Sequence, residues 1–177
     1  GQREEWDLAG VKTDFMDRCD QWMVSYYERV TRGAAEHRLL GDWHGSYTPK
    51  GLFRTYPNLV NYEGVLGMEQ GARCQPENSN LLPFIRNAVG PMDFTPGAML
   101  SAQPEENRST NSNPVGSGTR AYQLALYVLF EAPLQMLADS PMAYERERPS
   151  AEFIASVPTT WDELRVLHAA CGKQLVV

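Results

Sequence analysis

The sequence predicts an α/β domain built on a parallel sheet, and three observations carry that reading. Short apolar or alternating runs recur along the chain, separated by amphipathic helices or long loops rather than by hairpin turns. Acidic residues collect immediately after these runs, at the strand ends where parallel sheets carry their sites. The 177 residues hold only about half the strands of an eight-stranded barrel, which takes about 250 residues. The chain can be part of such a barrel, not all of one.

The first strand is expected over Val11–Phe15, where apolar and polar residues alternate. A helix follows from Asp20 to His37. Its apolar stripe is Met23, Val24, Tyr27, Val30, Thr31 and Ala34, spaced as on one face of a helix. Gly33 costs that helix about 1 kcal/mol relative to alanine, which weakens its last turn. Leu39–Trp43 is the second strand, ended by Gly45, and Asn58–Tyr62 the third, reached through the turn formers Thr48, Pro49 and Gly51. A fourth short apolar run, Phe84–Val89, precedes Gly90-Pro91-Met92-Asp93. Gln103–Gly118 is polar and aperiodic and reads as a long surface loop. Thr119–Ala132 is a second helix, apolar nearly all round and so buried, with Pro133 marking its break. Thr160–His168 is a short amphipathic piece, and Gln174–Val177 is strand-like with nothing evident to pair with. Both ends look cut, as in a piece of a larger protein.

Sixteen Lys and Arg against 22 Asp and Glu leave a net charge of −6. No stretch concentrates enough basic residues to neutralise a run of phosphates, so nucleic acid is not an expected partner. The most apolar stretch, Ala121–Ala138, carries Gln123, Glu131, Pro133 and Gln135 and is no membrane span. The N-terminus has no basic-then-apolar signal segment. Cys19, Cys74 and Cys171 are too few and too scattered for a disulfide framework or a metal site.

The chemistry is sought at the strand ends: Asp14 and Asp17, Asp42 and His44, Glu63 and Glu69, and Asp93. Any one of these alone reads as a cap or a solvated loop start. As a set they are uniformly acidic, with Phe15, Trp43, Tyr47, Tyr62 and Phe94 beside them. Paired carboxylates serve glycoside cleavage, one protonating the leaving oxygen while the other attacks or activates water. Aromatic faces suit sugar rings. The same carboxylates would equally bind a hard cation such as Ca²⁺ or Mg²⁺ through oxygen. His37, near a helix end, reads as a surface residue that complements the helix dipole and His168 as structural, and neither Ser46 nor Ser117 sits in a nucleophile elbow.

Four blocks resemble the catalytic barrel of glycoside hydrolase family 97. They begin at Gly10-Val-Lys-Thr-Asp-Phe-Met-Asp, at Trp43-His-Gly-Ser-Tyr, at Pro83-Phe-Ile-Arg-Asn and at Phe153-Ile-Ala-Ser. Together with the run Tyr62-Glu-Gly-Val-Leu-Gly-Met-Glu-Gln they cover most of the chain. The resemblance implies the C-terminal half of a (β/α)₈ barrel over residues 1–168, and from 169 to 177 the first strand of a C-terminal β-sandwich. An N-terminal sandwich and the first half of the barrel would then lie in the missing part of the parent chain. It also implies a periplasmic or secreted location.

The resemblance further implies roles. Inverting members of the family carry a Glu base directly after the histidine that matches His44; here that position is Gly45. Retaining members use instead an Asp nucleophile that matches Asp14. Glu63 matches a calcium ligand, and Glu69 matches the general acid/base and touches the same metal site. His44 matches a substrate-contacting histidine, with Trp43 and Asp93 expected beside it. Cys19 stands where the motif usually has Asp. The implied activity is a calcium-assisted retaining glycoside hydrolase releasing terminal α-galactosides by double displacement. The alternatives are an α-glucosidase of the same family and a non-catalytic carbohydrate-binding fragment.

Overall fold

The computed structural model describes residues 7–177 except 111; the N-terminal stretch read for a signal segment lies largely outside the described residues. Its centre is a three-stranded parallel sheet in the order β1 (Gly10–Thr13), β2 (Leu40–Trp43), β3 (Leu59–Tyr62). Each strand is shorter than its sequence pattern by about one residue. Phe15 cannot extend β1, because its φ of 59° takes the chain out of the extended region. A fourth position continues the sheet beyond β3 through a single parallel bridge, Tyr62 to Met92.

Between β1 and β2 runs α1 (Gln21–Glu36), the crossover that parallel strands need. Asp20 caps it by accepting from the Met23 backbone amide at 3.0 Å. Met23, Tyr27, Thr31 and Ala34 are its buried face; Val24, expected on the stripe, is exposed. Gly33 does not end the helix, which closes at His37 through a backbone bond to Ala34.

The run Phe84–Val89 is not a strand. After α2 (Leu52–Thr55) and α3 (Pro76–Ser79), it forms α4 (Leu82–Ile85) and a 3₁₀ turn, Asn87–Val89. Pro83 sits in the first turn of α4, where a missing N–H does no harm. The expected surface loop holds β4 (Leu100–Ala102) at its edge and β5 (Val115–Ser117) inside it, and the two pair in parallel. The second helix, α5 (Arg120–Leu129), stops earlier than its apolar pattern. Pro133 has no N–H to give the Leu129 carbonyl and its ring would crowd that oxygen, so Phe130 turns extended. Only Gln123, Leu126 and Tyr127 of α5 are buried.

Two short helices, α6 (Pro141–Arg146) and α7 (Arg148–Ser156), lead to a segment over 160–167 that is neither helix nor strand. The strand-like end does find a partner: β6 (His168–Ala170) and β7 (Gln174–Val176) form an antiparallel hairpin. Among the described residues no helix is long and apolar enough to cross a membrane, and all three cysteines are free.

The core falls into two clusters. Met16, Met23, Tyr27, Trp43, Leu59 and Tyr62 lie between α1 and the sheet. Met68, Leu82, Met92, Phe94, Leu126 and Phe130 are among those that pack under α5. The first is centred on Tyr27, whose ring lies 4.7 Å from both Trp43 and Tyr47, edge-on to each.

Candidate active site

Strand register assembles the site. Thr13 pairs with Trp43, Trp43 with Tyr62, and Tyr62 bridges to Met92. The residue after each of these, Asp14, His44, Glu63 and Asp93, therefore stands at one level beyond the strand ends. Because side chains alternate along a strand, that level and the Lys12–Asp42–Asn61 level share a face opposite to Trp43 and Tyr62. The same alternation corrects one expectation. Trp43 is 2% exposed and packed against Tyr27 in the core, so it does not face the site.

His44 is the hub. Its Nδ1 lies 2.8 Å from Asp93 Oδ2, and its Nε2 lies 3.1 Å from Glu69 Oε1 and 3.4 Å from Glu63 Oε1. Burial works against a charged imidazole here. The Asp93 hydrogen bond and the Glu63 and Glu69 carboxylates outweigh it and push the ring up to about 9. Asp93 is buried too, yet His44 and the Lys12 ammonium, 2.6 Å away, hold its carboxyl below the usual range. Asp42 goes the other way: burial first, then the Asp93 charge, raise it to about 7 despite Lys12 at 3.7 Å. Lys12 is a site residue that the sequence reading missed, and its signal was there, two residues before Asp14 on the same strand face.

Glu63 is held at both ends. Its Oε2 accepts from the Gly45 amide at 2.7 Å, and its own amide donates to the Trp43 carbonyl at 2.7 Å. Burial raises its carboxyl above the ordinary glutamate value. Glu69 lies in the 3₁₀ segment Met68–Arg73, where the Met68 amide donates to the Phe94 carbonyl at 2.9 Å. It is about half exposed and lines a cleft of about 560 Å³ with Phe15, Thr95 and Leu137.

Asp14 sits against Gly45. The glycine has φ 55°, and a Cβ there would fall 2.5 Å from the Phe15 nitrogen and 2.6 Å from Asp14 Oδ1. The Phe15 amide donates to that same oxygen at 2.6 Å. A side chain at position 45 and the Asp14 carboxylate where it stands exclude each other.

His44, Glu63 and Glu69 offer three donor atoms within 4.8 Å of one another, a set that suits a cation. The two carboxylates match a hard ion such as Ca²⁺ in kind. Their oxygens alone do not reach the six to eight that Ca²⁺ takes, so other ligands would complete the shell. A proton-bearing His44 serves this set as a hydrogen-bond donor rather than as a ligand.

Comparison with known proteins agrees with the family suggested by the motifs. The model of the family described as glycoside hydrolase 97 matches residues 1–65. A retaining alpha-galactosidase of Bacteroides thetaiotaomicron is 45% identical over 97% of this chain and 27% of its own length. The crystal structure of a beta-arabinopyranosidase superposes with a TM-score of 0.80 at 33% identity, over 97% of this chain and 28% of that one. A family 97 enzyme from Pseudoalteromonas sp. strain K8, in complex with acarbose, gives a TM-score of 0.73 at 36% identity, over 86% and 23%. The chain thus spans about a quarter of the length of the relatives it matches.

Proposed function

Because the chain belongs to glycoside hydrolase family 97, we propose that it supplies the catalytic residues of a retaining glycosidase acting on terminal α-galactosides. The observation that carries the reading is the crowding of Gly45 against Asp14. The position that holds a base in inverting relatives has no side chain here, and a carboxylate occupies the space beside it.

In the proposed reaction Asp14 attacks the anomeric carbon as the bond to the leaving oxygen breaks, forming a β-linked glycosyl-enzyme. Glu69 donates its proton to that oxygen. The deprotonated Glu69 then takes a proton from water, whose oxygen attacks the anomeric carbon and releases Asp14. Two inversions return the α-configuration. His44 contacts the sugar and orients Glu69 through its Nε2, whereas Asp93, expected to meet the sugar, is buried and serves by fixing His44 Nδ1. Glu63 and Glu69 would hold Ca²⁺, which when bound stabilises negative charge and orients the substrate.

The all-parallel order β1-β2-β3, with Met92 continuing it, supports reading residues 1–168 as part of the second half of a (β/α)₈ barrel. The segment from 169 onward is then the start of a C-terminal β-sandwich.

The test is the anomer released first by the full-length protein from an aryl α-galactoside, followed by proton NMR in the first minutes. The α-anomer is expected; initial β-anomer overturns the retaining assignment. An aryl α-glucoside run alongside checks the sugar, with faster turnover of the galactoside expected. Faster glucoside turnover transfers the assignment to the α-glucosidase alternative.

A further inference from the structure

The Arg86 guanidinium is buried, 4% exposed, and all its hydrogen bonds go to main-chain carbonyls. Nη2 donates to Tyr62 at 2.9 Å, Glu63 at 3.1 Å and Pro91 at 2.9 Å. Nη1 donates to Gly90 at 2.9 Å, and Nε to Gly64 at 3.2 Å and Glu63 at 3.3 Å. Among the described residues no carboxylate takes part. A charge buried without a counter-ion is costly, and five carbonyls converging on one planar fork are the compensation.

Those carbonyls belong to two segments. Tyr62 ends β3 and Glu63 and Gly64 follow it, while Gly90 and Pro91 lead directly into Met92 and Asp93. The sheet joins these segments through one bridge only, with the Asp93 amide donating to the Tyr62 carbonyl at 2.9 Å. Where a longer strand would have a hydrogen-bonded ladder, this chain has a guanidinium. The segments it ties carry two carboxylates on opposite sides of His44: Asp93, hydrogen-bonded to Nδ1, and Glu63, whose Oε1 lies 3.4 Å from Nε2.

We infer that Arg86 is a positioning residue that sets the spacing of Glu63 and Asp93 about His44, and through it the cation affinity and turnover of the site. The inference rests on the proposed function, and reaches a residue that touches neither substrate nor ion. Lysine cannot replace it: an ammonium has three donors on one point and no fork to reach both segments.

The experiment uses Arg86→Lys and Arg86→Met in the full-length protein, well below the melting temperature of each variant. Calcium affinity is read by titration calorimetry, and kcat and KM are read separately. Loss of an outer-shell contact typically weakens metal binding or activity about 10–100-fold. A calcium Kd raised by about tenfold or more is expected, with kcat lowered and KM moved much less. A lower melting temperature with unchanged Kd and kcat makes Arg86 merely structural and overturns the inference. Should neither variant fold, Gly90→Ala decides. Its φ of 136° and a Cβ 3.1 Å from Phe53 would shift one acceptor while keeping the guanidinium. Parallel, smaller losses are expected from it, and unchanged values overturn the clamp. A wild-type protein that binds no calcium removes the cation reading alone, since the effect on kcat still judges Arg86.

Discussion

Nδ1 of His44 lies 2.8 Å from Oδ2 of Asp93, a carboxylate buried to 2% exposure and itself gripped by Lys12. This contact anchors one ring nitrogen and leaves Nε2 directed at Glu69 and Glu63. A single imidazole thereby links three strand ends.

Asp93→Asn removes the charge on the partner of Nδ1 and lowers the His44 midpoint from about 9 toward 6.5. The chain has only three histidines, so the ring resonances are resolvable by NMR titration in chelator. An unmoved midpoint would show that Asp93 does not hold the imidazolium.

The same raised midpoint makes stability depend on pH in the metal-free protein. Because the folded chain holds the His44 proton more tightly, its contribution is complete below about pH 6.5. It is lost as pH rises through about 9. Denaturant midpoints should fall across that window, and His44→Gln should flatten the fall. A fall of equal size in His44→Gln counts against the assignment.

Gly45→Ala puts a Cβ onto a left-handed backbone and against Phe15 and Asp14. The backbone term is about 1–2 kcal/mol and overpacking adds about 1–3 kcal/mol. Urea unfolding should show a loss within that combined range, and turnover should drop because Asp14 is displaced. Wild-type stability and turnover together would mean that Asp14 does not depend on the glycine.

Asp14→Ala should abolish turnover, and azide should restore part of it as a β-glycosyl azide. Glu69→Gln should retain more of its first step on substrates with good leaving groups than on those with poor ones. Equal loss on both classes removes Glu69 from the acid role.

Tyr27→Ala empties the centre of the cluster formed with Trp43, Tyr47 and Tyr62. Large aromatic truncations in cores cost about 3–5 kcal/mol, measurable as a shift in denaturant midpoint. A loss below about 1 kcal/mol would mean that the ring contributes little packing there.

The sequence by itself determined the local elements and the chemistry available to them. Asp20 and Thr119 marked the helix starts, period-2 and period-3.6 patterns marked the central strands and α1, and acidic residues marked the strand ends. These are short-range effects, set by caps, backbone preference and the spacing of apolar side chains. Tertiary structure decided the rest. Trp43 and His44 are neighbours in sequence, yet the pleat sends one into the core and the other into the site. Phe84–Val89 has the apolar content of a strand, but it is helical, and the fourth strand position falls to Met92, bridged to Tyr62, with Arg86 donating to the Tyr62 and Pro91 carbonyls. Arg86 became legible only in the tertiary structure, and the Lys12–Asp93 contact joins residues 81 positions apart, a distance over which no local pattern carries information.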